Sequence, residues 1–261
     1  MHDNLEHVTP ASIGKTVCVM GASAGIGLDI VKAFLASGYA VIAGARNERE
    51  LELFSSDPAL TFVEVDAQLE LDHQRLVDAA LSLGNGLSAY INNVGLSAWR
   101  PIQDIDNKFL DEMLSVNLKS AFWGCKVAAA SLHCEGVIIN ISSIAGKRGS
   151  SNNSAYVASK FAMNGLTQSL AKELGVRGIR VNALCPVLIE TPGLLTALAT
   201  ENSPAQDSVE IFLNTFAETN TALGRLPTGA EVANMCVFLC SDLASAMTGQ
   251  CINVDCGVFP Q

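Results

Sequence analysis

Short runs of consecutive apolar residues alternate along the chain with longer segments whose apolar positions recur every three to four residues. The runs predict buried strands at 15–20, 40–44, 61–65, 88–92, 137–141, 180–184 and 251–254. The periodic segments predict helices at 25–37, 69–83, 106–131, 153–174 and 231–239. Strands separated by helices require crossover connections, which are right-handed in a parallel sheet. The pattern therefore predicts an α/β fold: a doubly wound parallel sheet of seven strands with helices on both faces. Residues 1–13 read as a loose N-terminal arm, and 14–261 as one domain. Segment 190–227 breaks the rhythm, and its length predicts a substrate loop or lid. Two surface helices covering the sheet edge fit the same residues, and both readings can hold.

Composition changes this picture little. The chain has 261 residues, 49% of them apolar and 16% charged, enough to fill a sizeable core. It contains neither a low-complexity linker nor a repeat beyond the βα alternation. The mean hydropathy of +0.31 is high, yet no apolar run approaches the ~20 residues of a membrane span. A parallel sheet buried on both faces accounts for it. The net charge of −10 repels phosphate backbones and anionic lipid surfaces, so neither nucleic acid nor membrane is an expected partner. The first residues lack the basic and apolar regions of a secretory signal, which predicts a cytoplasmic protein. The eight cysteines are scattered without a C-x-x-C, which favours buried thiols over disulfides or metal ligands. Cys236 and Cys240 stand four apart on a predicted helix, but no histidine lies near them in sequence, so no metal is expected.

Two places carry candidate chemistry. The first predicted strand runs straight into Gly21-Ala22-Ser23-Ala24-Gly25-Ile26-Gly27 and then a helix. Glycines allow the sharp turn and the close approach of a pyrophosphate, and the helix start offers free N–H groups and a positive dipole end. At the tip of the second strand, where a carboxylate would accept the 2′-hydroxyl of NAD, stand Ala45-Arg46-Asn47. A guanidinium there suits a 2′-phosphate, so NADP(H) is the expected cofactor and NAD(H) the alternative, with Arg46 otherwise an ordinary exposed loop arginine. Asp66, followed by Ala67, ends the third strand; its carboxylate is placed either to accept from an adenine amino group or to cap the next helix. The second place is Tyr156-Val157-Ala158-Ser159-Lys160. On a helix, residues four apart share a face. An ammonium beside a phenol favours the phenolate, so Lys160 is expected to lower the pKa of Tyr156 and make it a proton donor and acceptor; a solvated helix face explains the spacing taken alone.

The glycine turn, Asn92-Asn93-Val94-Gly95, Asn117, Ser143 and Tyr156-x-x-x-Lys160 occur in that order. With Pro186-Val187-Leu188-Ile189-Glu190-Thr191 and the terminal Gly249–Asp255 stretch, the chain resembles the short-chain dehydrogenases/reductases over nearly its whole length. The resemblance implies a single-domain Rossmann fold that interconverts a ketone and a secondary alcohol. Tyr156 would be the general acid or base, and Lys160 would lower its pKa and bind the nicotinamide ribose. Ser143 would steady the substrate oxygen, and Asn117 would hold a water feeding Lys160. Gly21, Ser23, Gly25, Ile26, Gly27, Arg46, Asp66, Ala67, Asn93 and Gly95 would line the cofactor. Pro186, Ile189 and Thr191 would position the nicotinamide carboxamide, and Asn92 would be structural. A homotetramer is also implied.

Three departures from the family pattern stand out: Met20 for a usual Thr, Val187 for the Gly after the proline, and Cys256 for a Gly near the end. None removes a reacting group. Substrate walls are expected from Leu96-Ser97-Ala98-Trp99, Ile144-Ala145, Leu188 and residues 194–198. These are mainly apolar, which favours an apolar or cyclic small-molecule carbonyl or alcohol. Phe212 and Phe216 either close a lid or pack beneath it. Other readings are a non-catalytic NADP(H) sensor, which should lack the Tyr or Lys, and an epimerase or dehydratase, which usually needs a larger substrate domain. An enoyl reductase of this lineage normally has a wider tyrosine–lysine spacing.

Overall fold

The computed structural model describes residues 14–205 and 208–260; the arm expected at 1–13 lies outside them. Seven parallel strands form one sheet in the order β3-β2-β1-β4-β5-β6-β7. They are β1 (Thr16–Met20), β2 (Ala40–Ala45), β3 (Leu60–Glu64), β4 (Ala89–Asn92), β5 (Val137–Ile141), β6 (Arg180–Pro186) and β7 (Cys251–Val254). The helices are α1 (Gly25–Ala36), α2 (Glu70–Ser82), α3 (Asn107–Leu114), α4 (Ser120–Ser131), α5 (Ser154–Leu174), α6 (Pro192–Leu198), α7 (Val209–Asn220) and α8 (Gly229–Cys240).

Every residue of β1 is buried, and alternate side chains enter opposite cores. Val17 and Val19 join α1 and α8 in one apolar cluster. Cys18 and Met20 join residues of α2, α4 and α5 in the other. A strand whose two faces are both covered has no reason to alternate apolar with polar, which is why β1 and β5 read as continuous runs. Cys236 and Cys240 pack into the first cluster, and burial pushes both thiols above their ordinary range. Met20, 1% exposed, packs its side chain into the second cluster.

The sheet order reverses between β1 and β4, whose carboxyl ends open the crevice where ligands of doubly wound sheets bind. One expectation needs correction. The helix expected over 106–131 is two helices, α3 and α4, joined by a wide π-type turn at Ser115–Lys119. The backbone stays helical on both sides of the π-type turn, so a pattern read as one helix does not reveal it. The irregular segment at 190–227 contains α6 and α7. With Trp99 they build a third apolar cluster, which includes Leu198 and Leu213.

Candidate active site

A continuous cleft of about 920 Å³ runs along the carboxyl edge of the sheet, from the turn after β1 to the first turn of α5. The glycine turn forms one end. Gly21 has φ +83°, a left-handed conformation that side chains resist. A Cβ on Gly27 would overlap the carbonyl oxygen of Gly21, so the chain can fold this tightly only without one. Asn93 stitches the turn from across the crevice, its Nδ2 donating to the Gly21 carbonyl at 2.9 Å. α1 begins without a side-chain cap and without an acidic residue in its first turn. Its free N–H groups and dipole thus remain available to an anion. A backbone cradle of this kind fits a dinucleotide pyrophosphate; Gly21, Ser23, Gly25 and Ile26 line the cleft there, whereas Gly27 is not among the lining residues.

Beyond the turn, Arg46 is exposed and lines the cleft beside Asn47 and Arg49. Arg49 was not singled out by sequence reasoning. It has φ +45° and opens a short 3-10 helix, Arg49–Phe54, and a lone arginine there carries no pattern that would mark it. Asp66 and Ala67 line the same end. Asp66 does not cap α2, whose N-cap position is Leu69. Instead its Oδ1 accepts from the Gln68 N–H at 3.0 Å, closing a local turn.

At the other end α5 carries Tyr156 and Lys160 on one face. Ser143 hydrogen-bonds the Tyr156 phenol, and its Oγ accepts from Ala145 N–H at 3.1 Å. Lys160 is 3% exposed. Its Nζ donates to the Ile141 carbonyl at 2.9 Å and lies 5.8 Å from the centre of the Tyr156 ring. Burial lowers the Lys160 pKa to about 8, with Cys185 opposing. The Tyr156 pKa moves the other way from the expectation. Burial raises it, and the Ser143 hydrogen bond only works against that rise. Both groups disfavour their charged forms because desolvation outweighs any attraction between them.

Asn117 sits fully buried in the π-type turn. Its amide clasps Leu96, accepting from the N–H at 2.7 Å and donating to the carbonyl at 2.9 Å. The side chain therefore fastens the loop after β4 rather than reaching for Lys160. Gly95 lies between them: a Cβ there would stand 3.4 Å from Asn117 Oδ1 and 3.6 Å from Lys160 Nζ. Asn92 points into the sheet interior and donates to Asn140 Oδ1 at 2.9 Å. Pro186 ends β6, Ile189 is buried, and Thr191 caps α6 by accepting from Leu194 N–H at 3.2 Å. All three line the cleft.

The apolar walls are Leu96, Trp99, Ile144, Ala145, Val187, Leu188, Leu194, Phe212 and Phe216. The two phenylalanines face the cleft, with ring centres 5.9 Å apart. Two wall assignments need correction. Ala98 is not among the lining residues, and neither are residues 195–198. Leu195 faces outward at 40% exposed, while Leu198 is drawn into the third apolar cluster. A seven-residue helix presents only one face to the cleft. Arg148 and Glu112, both unmarked by the sequence pattern, also line it.

The chain matches a family model described as enoyl-(acyl carrier protein) reductase over residues 21–259. A 3-alpha-(or 20-beta)-hydroxysteroid dehydrogenase of Mycobacterium bovis is 35% identical over 249 residues, covering 94% of this chain and 89% of that protein. A 3-oxoacyl-acyl-carrier-protein reductase of Chlamydia pneumoniae is 34% identical, covering 94% and 97%. A (+)-borneol dehydrogenase 2 of Salvia officinalis is 33% identical, covering 94% and 89%. Among solved structures, a short-chain dehydrogenase/reductase from Brucella melitensis superposes with a TM-score of 0.86 at 28% identity, covering 97% of this chain and 99% of that one. The chain belongs to the short-chain dehydrogenase/reductase family. It is an oxidoreductase of a family that uses NAD(P)(H) and acts on small-molecule alcohols and ketones. Among the described residues, no helix is long and apolar enough to cross a membrane.

Proposed function

We propose that this short-chain dehydrogenase/reductase interconverts an apolar, cyclic ketone and its secondary alcohol, with NADP(H) preferred and Tyr156 as general acid and base. The observation that carries the reading is the juxtaposition of Ser143, Tyr156 and Lys160 at one end of a cleft whose other end is the glycine cradle. A nicotinamide nucleotide bound there supplies or accepts the hydride. The protein's part is proton placement. The Tyr156 phenol, kept protonated by burial, gives its proton to the carbonyl oxygen. Ser143 holds that oxygen as a hydrogen-bond donor, and Lys160 supplies positive charge beside the ring. Arg46, with no carboxylate at the β2 tip, supports a 2′-phosphate and hence NADP(H). Leu188, Leu194, Phe212 and Phe216 support an apolar substrate, with α6 and α7 as the lid over it. The names of the hydroxysteroid and borneol dehydrogenases, both acting on alicyclic alcohols, point the same way. A cytoplasmic homotetramer completes the reading.

The test is nucleotide oxidation with NADPH or NADH across cyclic, aromatic and acyclic ketones, comparing wild type with Tyr156→Phe. Turnover should be greatest with NADPH and a cyclic ketone and should fall about 10²–10⁴-fold in the variant, the usual range for losing an acid–base group. Full turnover in Tyr156→Phe would exclude its proton-transfer role. Tight NADPH binding with no turnover of any ketone would leave a sensor.

A further inference from the structure

His73 is fully buried and takes no part in the chemistry described above. Its Nε2 lies 2.8 Å from the Ala67 carbonyl oxygen, and its Nδ1 lies 2.7 Å from the Tyr90 hydroxyl. A carbonyl oxygen can only accept, so Nε2 carries the proton. Nδ1 of the neutral ring is then the acceptor and Tyr90 its donor. Tyr90, on β4, is also fully buried. A hydrogen-bonded chain thus runs from the middle of the sheet to the wall of the cleft, and it ends on a peptide that lines the nucleotide end.

The neighbouring residue of α2 grips the same loop. Asp72 Oδ2 accepts from the Asp66 N–H at 2.7 Å. Its other oxygen is held by Arg75 at 2.9 Å. One residue further on, Ser115 donates to the Gln68 side-chain oxygen at 2.9 Å. Successive side chains of α2 therefore fix both ends of the Asp66–Ala67 pair, and the π-type turn fixes the residue after it. A loop held this way loses little freedom when a ligand arrives, and that saving appears as affinity.

We propose that His73 is a positioning residue for the adenosine half of the nucleotide, acting through the Ala67 peptide. The inference rests on the nucleotide reading given under Proposed function. A merely structural role would weaken folding but would not distinguish nucleotides that have an adenosine half from those that lack one.

The experiment compares NADPH with reduced nicotinamide mononucleotide, which has no adenosine, by Kd from fluorescence titration and, with the ketone that turns over, by KM and kcat, in wild type, His73→Leu, His73→Gln and Tyr90→Phe; Kd decides wherever turnover is too slow to give KM. His73→Leu should raise the NADPH KM about tenfold, the scale of one buried hydrogen bond. It should leave kcat and the mononucleotide KM within about twofold, because no contact to that half changes. His73→Gln keeps a donor toward Ala67 and should recover most of the loss. Equal losses for both nucleotides, or none, in a folded His73→Leu protein would overturn the proposal. Should His73→Leu fail to fold, Tyr90→Phe decides, since it removes only the donor to Nδ1. A selective rise in NADPH KM supports the proposal, and an unchanged ratio overturns it. Wild type binding neither NADPH nor NADH would overturn the nucleotide reading and this inference together, whereas normal wild-type binding with an unselective variant overturns this inference alone.

Discussion

The ammonium of Lys160 donates to the Ile141 carbonyl at 2.9 Å while lying 5.8 Å from the centre of the Tyr156 ring. One lysine thereby ties α5 to the end of β5 and places positive charge beside the phenol. The arrangement costs stability, because the charge is buried.

That cost has a sign that can be checked. The Lys160 pKa is about 8 in the folded protein against an ordinary value near 10.4. Below pH 8 the fold carries the whole penalty of a buried ammonium, about 3 kcal/mol. Between pH 8 and roughly 10.5 the unfolded chain holds the extra proton, so this contribution to stability rises with pH. Lys160→Met should therefore unfold at higher denaturant concentration than wild type at pH 7, with the difference shrinking toward pH 10, while turnover is lost. Equal midpoints at pH 7 would show that the ammonium is not penalised.

Gly27→Ala forces a methyl into the Gly21 carbonyl. The neighbouring atom is backbone and cannot swing away. The variant should lose roughly 3 kcal/mol of stability and bind nucleotide weakly or not at all. Thermal unfolding with and without NADPH measures both effects. A normal Tm with normal nucleotide stabilisation would refute the packing argument.

Arg46→Asp replaces the cation at the β2 tip with a carboxylate, which repels a 2′-phosphate and accepts from a 2′-hydroxyl. The ratio of kcat/KM for NADPH over NADH should drop at least about tenfold, equivalent to 1.4 kcal/mol. An unchanged ratio would remove Arg46 from that role and turn attention to Arg49, which lines the same end.

Cys256 adopts φ +53°, a left-handed conformation that favours glycine. Its carbonyl accepts from Ala222 and Leu223 N–H at 2.9 and 3.2 Å, so the turn is held in this conformation from outside. Cys256→Gly should relieve about 0.5–1 kcal/mol of backbone strain and raise the Tm by about 2 °C. A lower Tm on calorimetry would mean that the thiol contributes more packing than its backbone costs.

All seven strands, and the helices α1, α2, α5 and α8, were legible in the sequence to within two residues at each end. So were the glycine turn and the Tyr156/Lys160 face of α5. These features are local. A strand buried on both faces reads as a largely apolar run, a helix repeats every 3.6 residues, and a turn that approaches a phosphate needs glycine where the backbone is most crowded. Tertiary structure alone decided the rest. The π-type turn that presents Asn117 to Leu96 lies within an unbroken helical run, where no break residue marks it. Phe212 and Phe216 enter the cleft because α7 packs with Trp99 into a third cluster. The Tyr156 pKa rises instead of falling because burial is set by the whole fold, whereas the four-residue spacing specifies only that Lys160 shares its face. The hold of His73 on Ala67 depends on Tyr90 arriving from another strand. Desolvation and contacts between distant segments leave no periodic trace in a sequence.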